Sequence, residues 1–137
     1  MRENLFKAKR IDNGEWAEGY YMKKYDLLGN EEHLIFHADS YKVWEYVEID
    51  PETLCRFTGR CDKNGKKIWE NDILMAHLDE SYPEDATYET IKWGFAGWVA
   101  HETGRTDREY IDKFDLEHYE VVGNIFDNPE LLQEERK

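Results

Sequence analysis

Apolar and polar positions alternate over several short stretches of this chain, which is the period of a half-buried β-strand. From Tyr41 to Ile49 one face carries Tyr41, Val43, Val47 and Ile49, with Glu45 the exception. The other face carries Lys42, Trp44, Tyr46 and Glu48, so the outer side of this strand still holds two aromatic rings. Pro51 ends the strand, because proline has no N–H to give to a ladder. Thr53 to Thr58 is rich in β-formers, and Ile73 to Leu78 is apolar on both faces, as a central strand would be. Tyr88 to Trp93 and Trp98 to His101 flank Gly94-Phe95-Ala96-Gly97 and read as a hairpin. His118 to Val122 reads as the last strand.

Turn chemistry points the same way. Asn13-Gly14 and Asn64-Gly65 are Asn-Gly pairs between apolar runs, the signature of a type I′ hairpin with positive φ at both central residues. Gly29-Asn30 fits a type II′ reversal. One short helix is expected, from Pro129 to Glu135, with Asn128 as cap, Pro129 at the first helical position and Glu130 in the first turn. A helix this short is marginal in water, so Leu131 and Leu132 must dock on the sheet. Residues 79–87 and 103–109 read as loops. No repeat, low-complexity tract or linker divides the chain.

Composition narrows the function classes. The chain has 137 residues, 18 Lys plus Arg against 31 Asp plus Glu, a formal charge of −13 and 15% aromatic residues. That many rings argue for a packed domain and against disorder. No apolar run reaches the ~18–20 residues of a membrane span, and Met1 to Lys7 lacks an apolar leader core. A cytoplasmic protein with no membrane partner is expected. Residues 1–70 carry a net −2 and residues 71–137 a net −11. Such a field repels phosphate backbones and attracts basic partners. Cys55 and Cys61, spaced C-x5-C, match neither a zinc knuckle nor a redox pair, so two reduced thiols are expected.

Three blocks stand together in order. The first runs Met1-Arg2-Glu3, Phe6-Lys7-Ala8-Lys9-Arg10, Gly14-Glu15-Trp16 and Gly19-Tyr20. The second runs Ile49-Asp50-Pro51-Glu52-Thr53 and then Phe57-Thr58-Gly59-Arg60-Cys61-Asp62-Lys63-Asn64-Gly65-Lys66-Lys67-Ile68-Trp69-Glu70-Asn71-Asp72-Ile73-Leu74. The third runs Tyr119-Glu120-Val121-Val122-Gly123-Asn124-Ile125-Phe126-Asp127-Asn128-Pro129-Glu130-Leu131-Leu132. From end to end this resembles the YopX family of small phage and prophage proteins of unknown function. The resemblance implies one YopX-like domain over 1–137, mainly β, with an SH3-like β-barrel, additional antiparallel strands and hairpins, and the short C-terminal helix. It brings no catalytic residue and no cofactor. Two departures stand out: Asn71 replaces the glycine usual between Glu and Asp, and Arg60 replaces an apolar residue.

The motif residues read as architecture. Asp62 and Asn64 bond local amides, Gly65 supplies positive φ, and Asp72 caps the turn at Glu70 and Asn71. Gly123 and Asn124 bend the chain before Asn128 and Pro129. Candidate chemistry is thin. His33 and His37 on one strand lie roughly 13 Å apart, too far for one metal ion. Asp79, Glu80, Glu84 and Asp85 match no calcium loop and read as a solvated acidic loop. No phosphate loop, dinucleotide fingerprint or nucleophile elbow occurs, so nothing supports an enzyme.

Two surface candidates remain. Tyr82, Tyr88, Trp93 and Trp98 are the aromatics chosen as interaction residues of a non-enzymatic protein-binding module. Arg56, Arg60, Lys63, Lys66 and Lys67 cluster around one hairpin tip. They offer a phosphate or acidic-partner contact, internal pairing with the acidic half, or contact with a second copy in a homo-oligomer. The rival readings are nucleic-acid binding through residues 56–67 and an acidic mimic of DNA that occupies a host nucleic-acid-binding protein.

Overall fold

The computed structural model describes residues 5–38, 43–77, 86–93, 97–102, 108–110 and 119–132. They fall into two compact units, 1–57 and 58–137. The first unit holds β1 (Phe6–Lys9), β2 (Trp16–Tyr25), β3 (Glu31–Ala38), β4 (Trp44–Glu48) and a 3-10 turn, Pro51–Thr53. β5 (Cys55–Cys61) crosses the boundary. The second unit continues with β6 (Lys67–Trp69), β7 (Asp72–His77), β8 (Ala86–Trp93), β9 (Trp98–Glu102), β10 (Arg108–Tyr110) and β11 (Glu120–Asn124).

The ladder order is β4-β3-β2-β1-β5-β6 in one sheet and β10-β9-β8-β7-β11 in the other. Every register resolved is antiparallel, as the hairpin signals require. In the first unit Ala8, Ala17, Ile35, Val47 and Ile49 form the core, with Phe6, Tyr21 and Leu54 against it. In the second Ile68, Leu74, Ile91 and Ala100 do so, with Trp98, Tyr119 and Val121 packed on them. Alternation placed Val47 and Ile49 inside and Trp44 and Tyr46 outside, and the structure agrees, but Val43, assigned to the inner face, is exposed just before β4 begins.

Three expectations are corrected. The mainly β content stands, but the SH3-like barrel does not, because among the described residues both sheets are open. Closure needs the outermost strands to pair along their length. Here a single bridge, Arg10↔Ile49, reaches across one end of the first unit's sheet. It cannot propagate: the chain reverses at 11–14 on one side, and Pro51, with no N–H, begins a turn on the other. The C-terminal helix is also corrected. The described residues show only a 3-10 turn, Pro129–Leu132, with Leu131 and Leu132 half-buried. Asn128 sends its Oδ1 back to accept the Asn124 N–H at 3.2 Å, and Asn124 Oδ1 accepts the N–H groups of Phe126 and Asp127. The 103–109 loop is shortened too, since β10 begins at Arg108.

The turns themselves differ from the sequence reading. Gly14, Gly29 and Gly65 have positive φ, yet neither Asn13 nor Asn64 does, so the reversals are not type I′. Two of them share one design. Asp26 Oδ1 accepts the N–H groups of Leu28 and Asn30, and Asp62 Oδ1 accepts those of Asn64 and Lys66. In each, the glycine three residues after the aspartate donates to its carbonyl. This is a type I turn followed by a left-handed glycine.

Asn71 is the one described non-glycine residue with positive φ, at 72°. The site is held open by its neighbours: its N–H donates to Ile91 O, and its carbonyl accepts the Ile125 N–H. Asparagine tolerates this region far better than a β-branched residue. Asn71→Gly should therefore leave stability within about 0.5 kcal/mol, whereas Asn71→Val should cost about 2 kcal/mol. Urea unfolding of the two variants measures the difference.

Candidate binding face

Strands β2, β3 and β4 present one face to the first unit's core and the other outward. On the outward face the registers Tyr20↔Phe36 and Phe36↔Tyr46 set three rings in a row across the sheet. Ala38↔Trp44 adds a fourth ring, and Met22↔Leu34 extends the apolar area along the strands. The Phe36 ring centroid lies 4.9 Å from that of Trp44 and 4.6 Å from that of Tyr46. Tyr20, Trp44 and Tyr46 are 52%, 53% and 55% exposed, so a contiguous aromatic cluster stands in water. Such patches mark contact surfaces. One carboxylate borders it: Glu48 lies opposite Leu34, whereas Glu45 points to the other side of the same strand.

Sequence reading found half of this face, since the outer rings of β4 follow from alternation alone. Tyr20 and Phe36 were missed, because only the pairing of β2 and β3 brings them beside β4.

Of the four aromatics chosen from the sequence, Tyr82 lies outside the described residues. Trp93 and Trp98 face each other across the β8–β9 hairpin, edge to face at 4.8 Å. Trp98 packs on the second core, while Trp93 is 51% exposed. Tyr88 stands an odd number of residues from Trp93 and so lies on the opposite face of β8. Of the three that are described, Trp93 and Trp98 are brought together.

In the basic cluster, Arg56 and Arg60 share the continuous strand β5. Arg56 falls in the first unit, its guanidinium 5.6 Å from the Phe6 ring centroid. Arg60, Lys63, Lys66 and Lys67 belong to the second unit. Lys63 Nζ lies 3.7 Å from Glu120 Oε1, which is pairing with the acidic half. Asp62, at the base of this tip, is buried and holds it to β11: its Oδ2 accepts the Val121 N–H at 2.8 Å. Burial pushes this carboxyl up, but hydrogen bonds from Val121, Lys66 and Asn64, with the Lys66 charge, outweigh it and keep it below the usual range. Asp72, also buried, accepts the Trp69 N–H at 2.7 Å and closes the turn as expected.

His33 and His37 flank Ile35 on the core side of β3, each beside its own carboxylate. His33 Nε2 is 3.2 Å from Glu31 Oε1, and its Nδ1 is 2.6 Å from the Tyr21 hydroxyl. His37 Nε2 is 3.3 Å from Glu45 Oε1. No disulfide joins Cys55, which is buried, to Cys61, which is exposed. Asp79, Glu80, Glu84 and Asp85 lie outside the described residues. Among the described residues no helix is long and apolar enough to cross a membrane.

Open antiparallel sheets with an aromatic cluster on one outer face define a β-rich protein. The family model for YopX protein matches residues 5–133, and the chain belongs to that family of phage and prophage proteins, whose function is unknown. Its fold is similar to that of protein EF1440 from Enterococcus faecalis, known from a crystal structure. The two share 22% identity with a TM-score of 0.59, over 97% of this chain and all of that one. No curated protein matches the chain.

Proposed function

We propose that this YopX family member is a non-enzymatic accessory protein that binds another protein, of host or phage, through the outward face of β2, β3 and β4. The observation that carries the reading is the cluster of Tyr20, Phe36, Trp44 and Tyr46 on one surface of one sheet. Exposed Trp and Tyr are the residues from which interface hot spots are built. Glu48, on the same face of β4 as the rings, favours a basic partner. The family match crosses the boundary between the two units, which supports a single functional module. Trp93 offers a second, smaller contact.

Affinity capture from infected host cells tests this. Wild-type protein should recover a specific partner, and the Trp44→Ala/Tyr46→Ala double variant should lose it with its unfolding midpoint unchanged. Truncation of each hot-spot ring should cost about 2 kcal/mol of binding or more. Full retention of the partner by the double variant would remove this face from consideration.

A further inference from the structure

Beyond its rings, β4 is the outermost strand of its sheet. Which of its backbone groups face outward follows from the ladder. Ile49 N–H donates to His33 O, so that pair is hydrogen-bonded. Antiparallel pairs alternate, which makes 34↔48, 36↔46 and 38↔44 the non-bonded pairs, with their β4 groups turned away from β3. Ile11 N–H confirms this by donating to Glu48 O from outside. Trp44 and Tyr46 thus present two donors and two acceptors along the edge, and among the described residues no strand covers them. The residues with outward backbone groups are the same two whose rings are exposed.

Resting on the face proposed above, we infer that β4 accepts an extended segment of the partner as an added strand, and that this segment alternates arginine with small apolar residues. Strand addition satisfies the edge amides, and alternate side chains then fall on the aromatic face. The side chains opposite Trp44 and Tyr46 would be cationic, for two reasons. Glu48 stands on that face, with no cation between Trp44 and Glu48. The first unit also repeatedly lays cations over its own rings: Lys7 at 4.6 Å and Lys9 at 5.5 Å from Trp16, and Lys23 at 5.9 Å from Tyr25. Glu45 and Glu48 also keep an exposed edge from indiscriminate pairing.

The probe is a short synthetic peptide of alternating arginine and valine, with a control of equal composition in two blocks. The alternating peptide should bind the full-length protein at least tenfold more tightly than the control and slow amide exchange at Trp44 and Tyr46 at least tenfold. Tyr46→Pro removes only an outward N–H from the backbone and is tolerated at an edge. It should bind at least tenfold more weakly than Tyr46→Ala, which keeps that N–H. Equal binding of the two peptides, unchanged exchange at both amides, or equal loss in the two variants would overturn strand addition. So would an oligothymidylate that binds this face where the peptide does not. If the alanine double variant still loses its cellular partner in those cases, the aromatic face stands and only the strand is withdrawn; if the partner is retained, both fall.

Discussion

Gly19→Ala should destabilise the first unit by about 3 kcal/mol, at the upper end for overpacking. A Cβ at this position would overlap the Phe36 carbonyl oxygen and lie 2.9 Å from its carbon and 3.0 Å from Ile35 Cγ2. The obstacle is backbone, so no rotamer change relieves it, and Phe36 could yield only by leaving the β2–β3 ladder. Glycine inside a strand marks this kind of close approach. Gly65 makes a useful contrast: its φ is positive, but nothing lies near its missing Cβ. Gly65→Ala should cost only about 1 kcal/mol of backbone strain. Urea unfolding followed by tryptophan fluorescence compares the two, and a Gly19→Ala protein as stable as wild type would contradict the close packing of β2 on β3. Because Phe36 anchors the ring cluster, the same variant should also disturb the proposed binding face.

Asp62→Ala should cost about 3 kcal/mol. One carboxylate accepts three backbone N–H groups, from Asn64, Lys66 and Val121, and hydrogen bonds to a charged group are each worth roughly 1.5–3 kcal/mol before solvent recovers part of the loss. Two of these donors sit at an exposed tip and can rehydrate, which keeps the total below the sum. The pH dependence has a defined sign. Folding holds this carboxyl below its unfolded value, so the stabilisation is complete above the ordinary aspartate pKa of about 3.9. It disappears as pH falls through the folded-state value. The gap in stability between wild type and Asp62→Ala should therefore be widest near neutrality and should narrow on acidification. A gap that stays constant down to pH 3 would mean the carboxylate is not what holds the tip to β11.

Much of the local structure was legible because it depends on local chemistry. Alternation sorted Val47 and Ile49 from Trp44 and Tyr46, and Pro51 stopped the strand where expected. Asp62, Gly65 and Asp72 took the turn-forming roles read from their types. Asn71 takes the left-handed conformation that asparagine tolerates better than most residues with a Cβ. Where local reading failed, two local solutions were close in energy. An Asn-Gly pair serves a type I′ turn or a type I turn with a left-handed glycine, and at Asn64-Gly65 the preceding Asp62, which caps the latter, decided between them.

The chain alone thus determined which segments extend, where they reverse and which side of each strand seeks the core, because those choices turn on single residues and their neighbours. Sheet order, the open edges and the joining of Tyr20 and Phe36 to Trp44 and Tyr46 were decided only by tertiary pairing. Residues far apart in sequence meet through backbone hydrogen bonds that are the same whatever the side chain, proline apart, so composition leaves no trace of which strand lies beside which.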